Sequence, residues 1–170
     1  MKNIRRFIHV LIASVLFITL LSYIANFIVF TEQPVSLVHF SFVHFSGYLF
    51  FLLMPVEALF AYFLTLGTNA LILIPIAVGT ALLAQYVDYV IGLLFSGLII
   101  GKFISEKRFK RYNKIIHNWG GPSILIFNLL PLSSPILLLV AGIVRYNMKK
   151  AFTYSLIGLT IKYSFIAMVF

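Results

Sequence analysis

Three ionisable residues stand in stretches otherwise free of charge: Glu57 in "MPVEALF", Asp88 in "AQYVDYVIG" and Lys162 in "LTIKYSF". A carboxylate withdrawn from water holds its proton more tightly, and a nearby ammonium reverses that tendency. Two acids and one base brought together can therefore bind and release protons, or the base can hold a phosphate. Glu57 follows Pro55 closely, where a carboxylate is also favourable beside the free N–H groups of a restarting helix. Asp88 and Lys162 have a plainer use as well, pairing with each other to lock two helices. Other chemistry is poorly represented. His39 and His44 in "HFSFVH" are spaced by five, which does not put two imidazoles on one helical face for a metal. The chain has no cysteine. It carries no HExxH, no paired Ser and His at an intramembrane site and no cluster of acids, so no enzyme, metal or cofactor is expected.

The elements that must position these charges follow from composition. The chain is 170 residues long, 62% hydrophobic and only 10% charged, whereas soluble domains carry roughly 25% charged residues. Its mean hydropathy is +1.07. Long uncharged runs approach or exceed the ~20 residues that cross a hydrocarbon core as a helix. Their apolarity is continuous rather than alternating, which excludes a barrel. The expected class is an all-α integral membrane protein. A net charge of +9, divided among loops, reads as topology signals and contacts to anionic headgroups rather than as a nucleic-acid site. The opening "MKNIRR" and the apolar run 7–30 resemble a signal peptide, but the run is too long for an h-region and lacks a small-x-small site. A retained transmembrane helix over 1–30 is expected instead.

Charge also sets the path of the chain. Basic residues gather at Lys2–Arg6, over 101–119 and at Arg145–Lys150, and by the positive-inside rule all three groups are cytoplasmic. The segment 31–46 has no Lys or Arg and reads as an external loop. The stretch 47–67 then starts outside, yet 68–100 must end inside. A re-entrant hairpin broken at Pro55 reconciles the two. The stretch 120–143 lies between two basic clusters and holds Pro131 and Pro135, so a second hairpin is expected from the cytoplasmic side. Residues 47–170 thus form a core of spanning helices around two opposed re-entrant hairpins, an inverted repeat with hairpin tips at Pro55, Pro131 and Pro135. Irregular backbone at that depth is tolerated only inside protein or along a wet cavity, as in many transporters. Asp88 lies about 21 Å of helix before Lys102 and Lys162 about 18 Å after Lys150, well within the bilayer. The segment 101–119 reads as an amphipathic helix on anionic lipid. The single GxxxG at 97–101 suits close packing and leaves homo-oligomerisation open.

The order of "MPVE", "YVDYVIG" and "NWGGPSILIFNLLPLSSPILLLVAGIVRYNMKKAFTYSLIGLTIKY" resembles the DedA family, also called the VTT or SNARE-associated domain, over roughly residues 45–165. The resemblance implies two opposed re-entrant hairpins among spanning helices. It also implies movement of a phosphate-bearing lipid between leaflets, a polyprenyl phosphate or a phospholipid, with proton coupling. Glu57 matches the family's acid after the first proline, and Tyr89 and Gly92 match a "Y..G" pattern. The family often has an acid at the place of Gln85, where this chain has Asp88 instead. At the second tip, Asn128 and Ser134 stand where many members have arginines. On this resemblance Glu57 and Asp88 are expected to gate or carry protons. Asn128, Ser133, Ser134, Arg145 and Lys162 are expected to contact a lipid phosphate. The expected function is a lipid transporter or scramblase of a divergent prokaryotic branch, multi-pass in the plasma membrane with a cytoplasmic N-terminus. The competing readings are an assembly factor and, less favoured, a membrane-embedded lipid enzyme.

Overall fold

Ser36 opens the first helix: its hydroxyl accepts from the His39 N–H at 3.2 Å, which satisfies one of the donors a helix start leaves unpaired. The structure, a computed structural model, describes residues 36–49, 56–99, 106–130 and 135–170. Among them the chain is helical with no strand: α1 (Leu37–Tyr48), α2 (Val56–Thr65), α3 (Ala70–Ile99), α4 (Glu106–Leu129), α5 (Pro135–Ile143) and α6 (Met148–Val169). Two of these are long and apolar enough to cross a membrane, over Ala70–Ser96 and Met148–Val169. Their most apolar windows are only 33% and 28% buried, so most of that surface faces outward. It is greasy: Leu71, Leu83 and Leu94 on α3, and Ile161, Phe165 and Met168 on α6, are all exposed.

Two corners are built alike. After α2, the Gly67 N–H donates to the Leu64 carbonyl at 2.9 Å and the Thr68 N–H to the Phe63 carbonyl at 3.2 Å. After α5, Arg145 donates to Gly142 at 3.0 Å and Tyr146 to Ala141 at 2.8 Å. Both patterns are Schellman stops, which need a left-handed residue. Gly67 supplies it freely at φ 83°, whereas Arg145 adopts it at φ 54° against its Cβ. An asparagine then starts the next helix in each case. Asn69 Oδ1 accepts from the Leu71 N–H at 2.9 Å, and Asn147 Oδ1 from the Lys150 N–H at 3.1 Å.

The packing pairs also correspond. α1 lies on α3 and α4 on α6; α5 lies on α3 and α2 on α6; α3 crosses α6. Small residues let the backbones close. Ala77, Ala81 and Ala84 are fully buried along one face of α3, as expected of helices that pack without bulky side chains between them. A Cβ at Gly92 would collide with the Leu139 carbonyl, and one at Gly142 with the Tyr89 carbonyl. α3 and α5 therefore touch backbone to backbone.

The helical boundaries depart from the sequence reading in two places. The expected loop 31–46 is helical from Leu37 onward, because Ser36 caps it and no proline or glycine interrupts 37–46. The second apolar segment does not begin at Gly120. α4 runs unbroken from Glu106 to Leu129, joining the basic stretch to it through Gly120, Gly121 and Pro122. Gly121 makes room for the Tyr154 ring, which occupies the place its Cβ would take. α1 ends at Tyr48, with Leu49 extended, and α4 ends at Leu129. The span expected over 1–30 and the tip residues Pro55, Pro131, Ser133 and Ser134 lie outside the described residues.

Candidate functional site

Glu57 sits in the first turn of α2, a position that places its carboxylate at the helix N-terminus. From there it reaches α6, where Lys162 Nζ donates to Glu57 Oε1 at 2.7 Å. Lys162 also donates to the Tyr48 hydroxyl at 2.6 Å, and its ammonium lies 5.3 Å from the Tyr48 ring centre and 5.2 Å from that of Tyr163. Buried ammonium groups are tolerated where they are paired and bonded in this manner.

The chain of polar groups continues inward. The hydroxyls of Tyr163 and Tyr48 lie 3.2 Å apart, and Tyr163 is 2.6 Å from His44 Nε2. His44 Nδ1 is 2.8 Å from Thr80 Oγ1. Thr80 also reaches the Ile76 carbonyl at 2.8 Å. Both ring nitrogens of His44 are thus engaged, one by Thr80 and one by Tyr163. Six side chains from α1, α2, α3 and α6 are joined in one line, with His44 and Tyr163 fully buried among Phe40, Phe60 and Phe63.

On its outer side the ion pair opens to a cavity of about 470 Å³. Its walls are Ala58 and Ala61 of α2, Leu129 of α4, and Ile161, Phe165 and Ile166 of α6. The volume falls within the ~300–1,000 Å³ of small-molecule sites, which pair apolar walls with a few fixed polar groups.

The remaining candidates occupy other places. Asn128 is buried on α4, where it accepts from Gln85 Nε2 at 2.7 Å and donates to the Ile124 carbonyl at 2.9 Å and to Ser155 at 3.2 Å. Its capacity is spent on tying α3, α4 and α6 together. Asp88 is buried on α3 but is not a partner of Lys162, whose ammonium bonds Glu57 and Tyr48. Arg145 is exposed in the corner after α5. From α6's first residue to Lys162 is about 21 Å of helix, so those two cations do not meet one phosphate. Pro135 opens α5, where a missing N–H costs nothing. Of the residues singled out from sequence, the structure joins Glu57 and Lys162. It adds Tyr48, Tyr163, His44 and Thr80, which sequence reasoning passed over. The available signal was His44 and Tyr48 at helical spacing of four in a segment without charge.

Among the described residues no group of three or more His, Cys, Asp or Glu could hold a metal ion. Comparison with family models, curated proteins and solved structures gives no match.

Proposed function

We propose that the chain is a multi-pass membrane protein that moves a phosphate-bearing lipid, a polyprenyl phosphate or a phospholipid, between leaflets as a DedA-like transporter or scramblase. The observation that carries this reading is a Glu57–Lys162 pair, its ammonium enclosed, opening onto an apolar cavity, in a molecule whose two long apolar helices leave most of their surface outward while Gln85, Asp88, Ser155 and Lys162 on those same helices are buried. A soluble helical protein has the opposite arrangement. A charged group held within apolar helices is a transport-site candidate by default.

The two like corners and the corresponding packing pairs support an inverted repeat of α1–α3 and α4–α6. The end of α1 at Tyr48 and that of α4 at Leu129 support hairpins that enter and return. The line of hydrogen bonds from Glu57 to Thr80 supports coupling to protons. The placement of basic residues supports a cytoplasmic 101–119, and the plasma membrane is the proposed location. A static assembly role is the second reading, favoured by the same line of bonds, since Lys162 held by Glu57 and Tyr48 also serves to lock α1, α2 and α6 together.

Leaflet exchange of a fluorescent phospholipid and of a polyprenyl phosphate in proteoliposomes separates the two. Exchange above protein-free vesicles, lost in folded Glu57→Gln protein, is the expected result. No exchange of either lipid, with or without a pH gradient, overturns transport and leaves the assembly role.

A further inference from the structure

We propose that the cavity between α2 and α6 binds one alkyl chain of an amphiphile whose head is a primary ammonium seated on the Glu57 carboxylate. The inference rests on the lipid-handling reading above and narrows its cargo from phosphate-bearing lipids in general to those whose head ends in a primary ammonium, which sets the polyprenyl phosphate aside. The cavity's charged lining groups are Glu57 and Lys162, and the two do not present themselves equally. The Lys162 side chain is 4% exposed and that of Glu57 23%. Lys162 is enclosed, directed to Tyr48 and Glu57 and covered by two tyrosine rings. Glu57 spends Oε1 on Lys162, and its other oxygen has no partner among the described residues.

A head entering the cavity therefore meets a carboxylate oxygen before it meets the ammonium. A group bonded to that oxygen lies about 3 Å from it, with the Lys162 charge farther off, and Coulomb energy falls with distance. A phosphate is repelled at this position. A hydroxyl gains a hydrogen bond to a charged acceptor, and an ammonium gains one in which both groups are charged, the strongest of the three. The walls set the tail. A methylene fills about the space of a water molecule, roughly 30 Å³, so the cavity accepts a single chain of moderate length. Any second chain stays outside.

The test uses the full chain in phosphatidylcholine nanodiscs with three photoreactive probes: dodecylamine, dodecanol and dodecyl phosphate, each with a diazirine at the tail end. Peptide mapping locates the adducts. The expected result is labelling of α2 and α6 by the amine at least tenfold above the other two. Ala61→Phe, which fills the cavity and leaves the ion pair in place, should abolish it. Glu57→Gln, if folded, should lower the amine to the level of the alcohol. Equal labelling by all three heads, preference for the phosphate, or amine labelling that persists in Ala61→Phe overturns the proposal. Leaflet exchange is scored separately: labelling without exchange upholds this site and sinks transport, and exchange without labelling does the reverse.

Discussion

Lys162 is held by two oxygens and two ring faces, and removing one of its partners strands a charge. Breaking a buried pair from one side costs about 3–5 kcal/mol. Glu57 retains contact with the cavity, so solvent screening reduces this, and Glu57→Gln is expected to lose about 2 kcal/mol in detergent unfolding. The double change Glu57→Leu with Lys162→Met removes both charges and should cost less than either single change. A double-mutant cycle measures that coupling. His44→Phe keeps a buried ring but removes two hydrogen bonds and leaves the Tyr163 hydroxyl with Tyr48 alone. A loss of about 1–3 kcal/mol is expected by the same measurement. Sequence identified Glu57 and Lys162, because a charge in an uncharged run needs no neighbour to be noticed. Which acid meets Lys162 was not legible. Glu57 is 105 positions away in the chain, and Asp88 is nearer in sequence without being the partner. The burial of His44 was not legible either, because Tyr163, its partner, lies 119 positions on.

The elements are set mostly by punctuation, and punctuation is legible where its residue types are the common ones. Gly67 followed by Asn69 marks a stop and a start in plain view. Arg145 does the same work with an unsuitable side chain, so the corner it forms is invisible to residue type. Arg145→Gly should therefore stabilise the protein by about 1 kcal/mol, the usual left-handed cost of a Cβ, read as a rise in the unfolding midpoint. Gly142→Ala should do the opposite. Its methyl would be driven into the Tyr89 carbonyl, and overpacking of this kind costs about 1–3 kcal/mol. Purified Gly142→Ala is expected to unfold at a lower temperature than the parent. The helix over 37–48 replaces the expected external loop because a lack of Lys and Arg bears on sidedness rather than on backbone, whereas Ser36 marks the helix start. Continuity of α4 through Gly120, Gly121 and Pro122 was hidden by residues that ordinarily end helices.

At the scale of the molecule, topology is what charge placement predicts and packing alone does not decide. The chain lacks cysteine, so single cysteines can be placed at will. With hairpins that return, Val38→Cys and Leu66→Cys should react with an impermeant maleimide from outside intact cells. Asn118→Cys and Lys149→Cys should react only after permeabilisation. If α2 crossed instead, Leu66→Cys would change sides. The helical class was legible from continuous apolarity, and the pairing of helices was not, since apolar faces alike in composition do not name their partners. The backbone contact between α3 and α5 also has a mechanical side. No side chain lies between those helices at Gly92 and Gly142 to rotate out of the way, so this seam is stiff. α2 rests on α6 through an ion pair, the Phe60–Tyr163 ring contact and a void beside them, and that seam is the more compliant. A guest pressing on the molecule displaces a glutamate and a lysine on one side, and on the other would have to shear a helix. The two seams thus yield to load unequally, so a guest's displacement is confined to the side of α2 and α6.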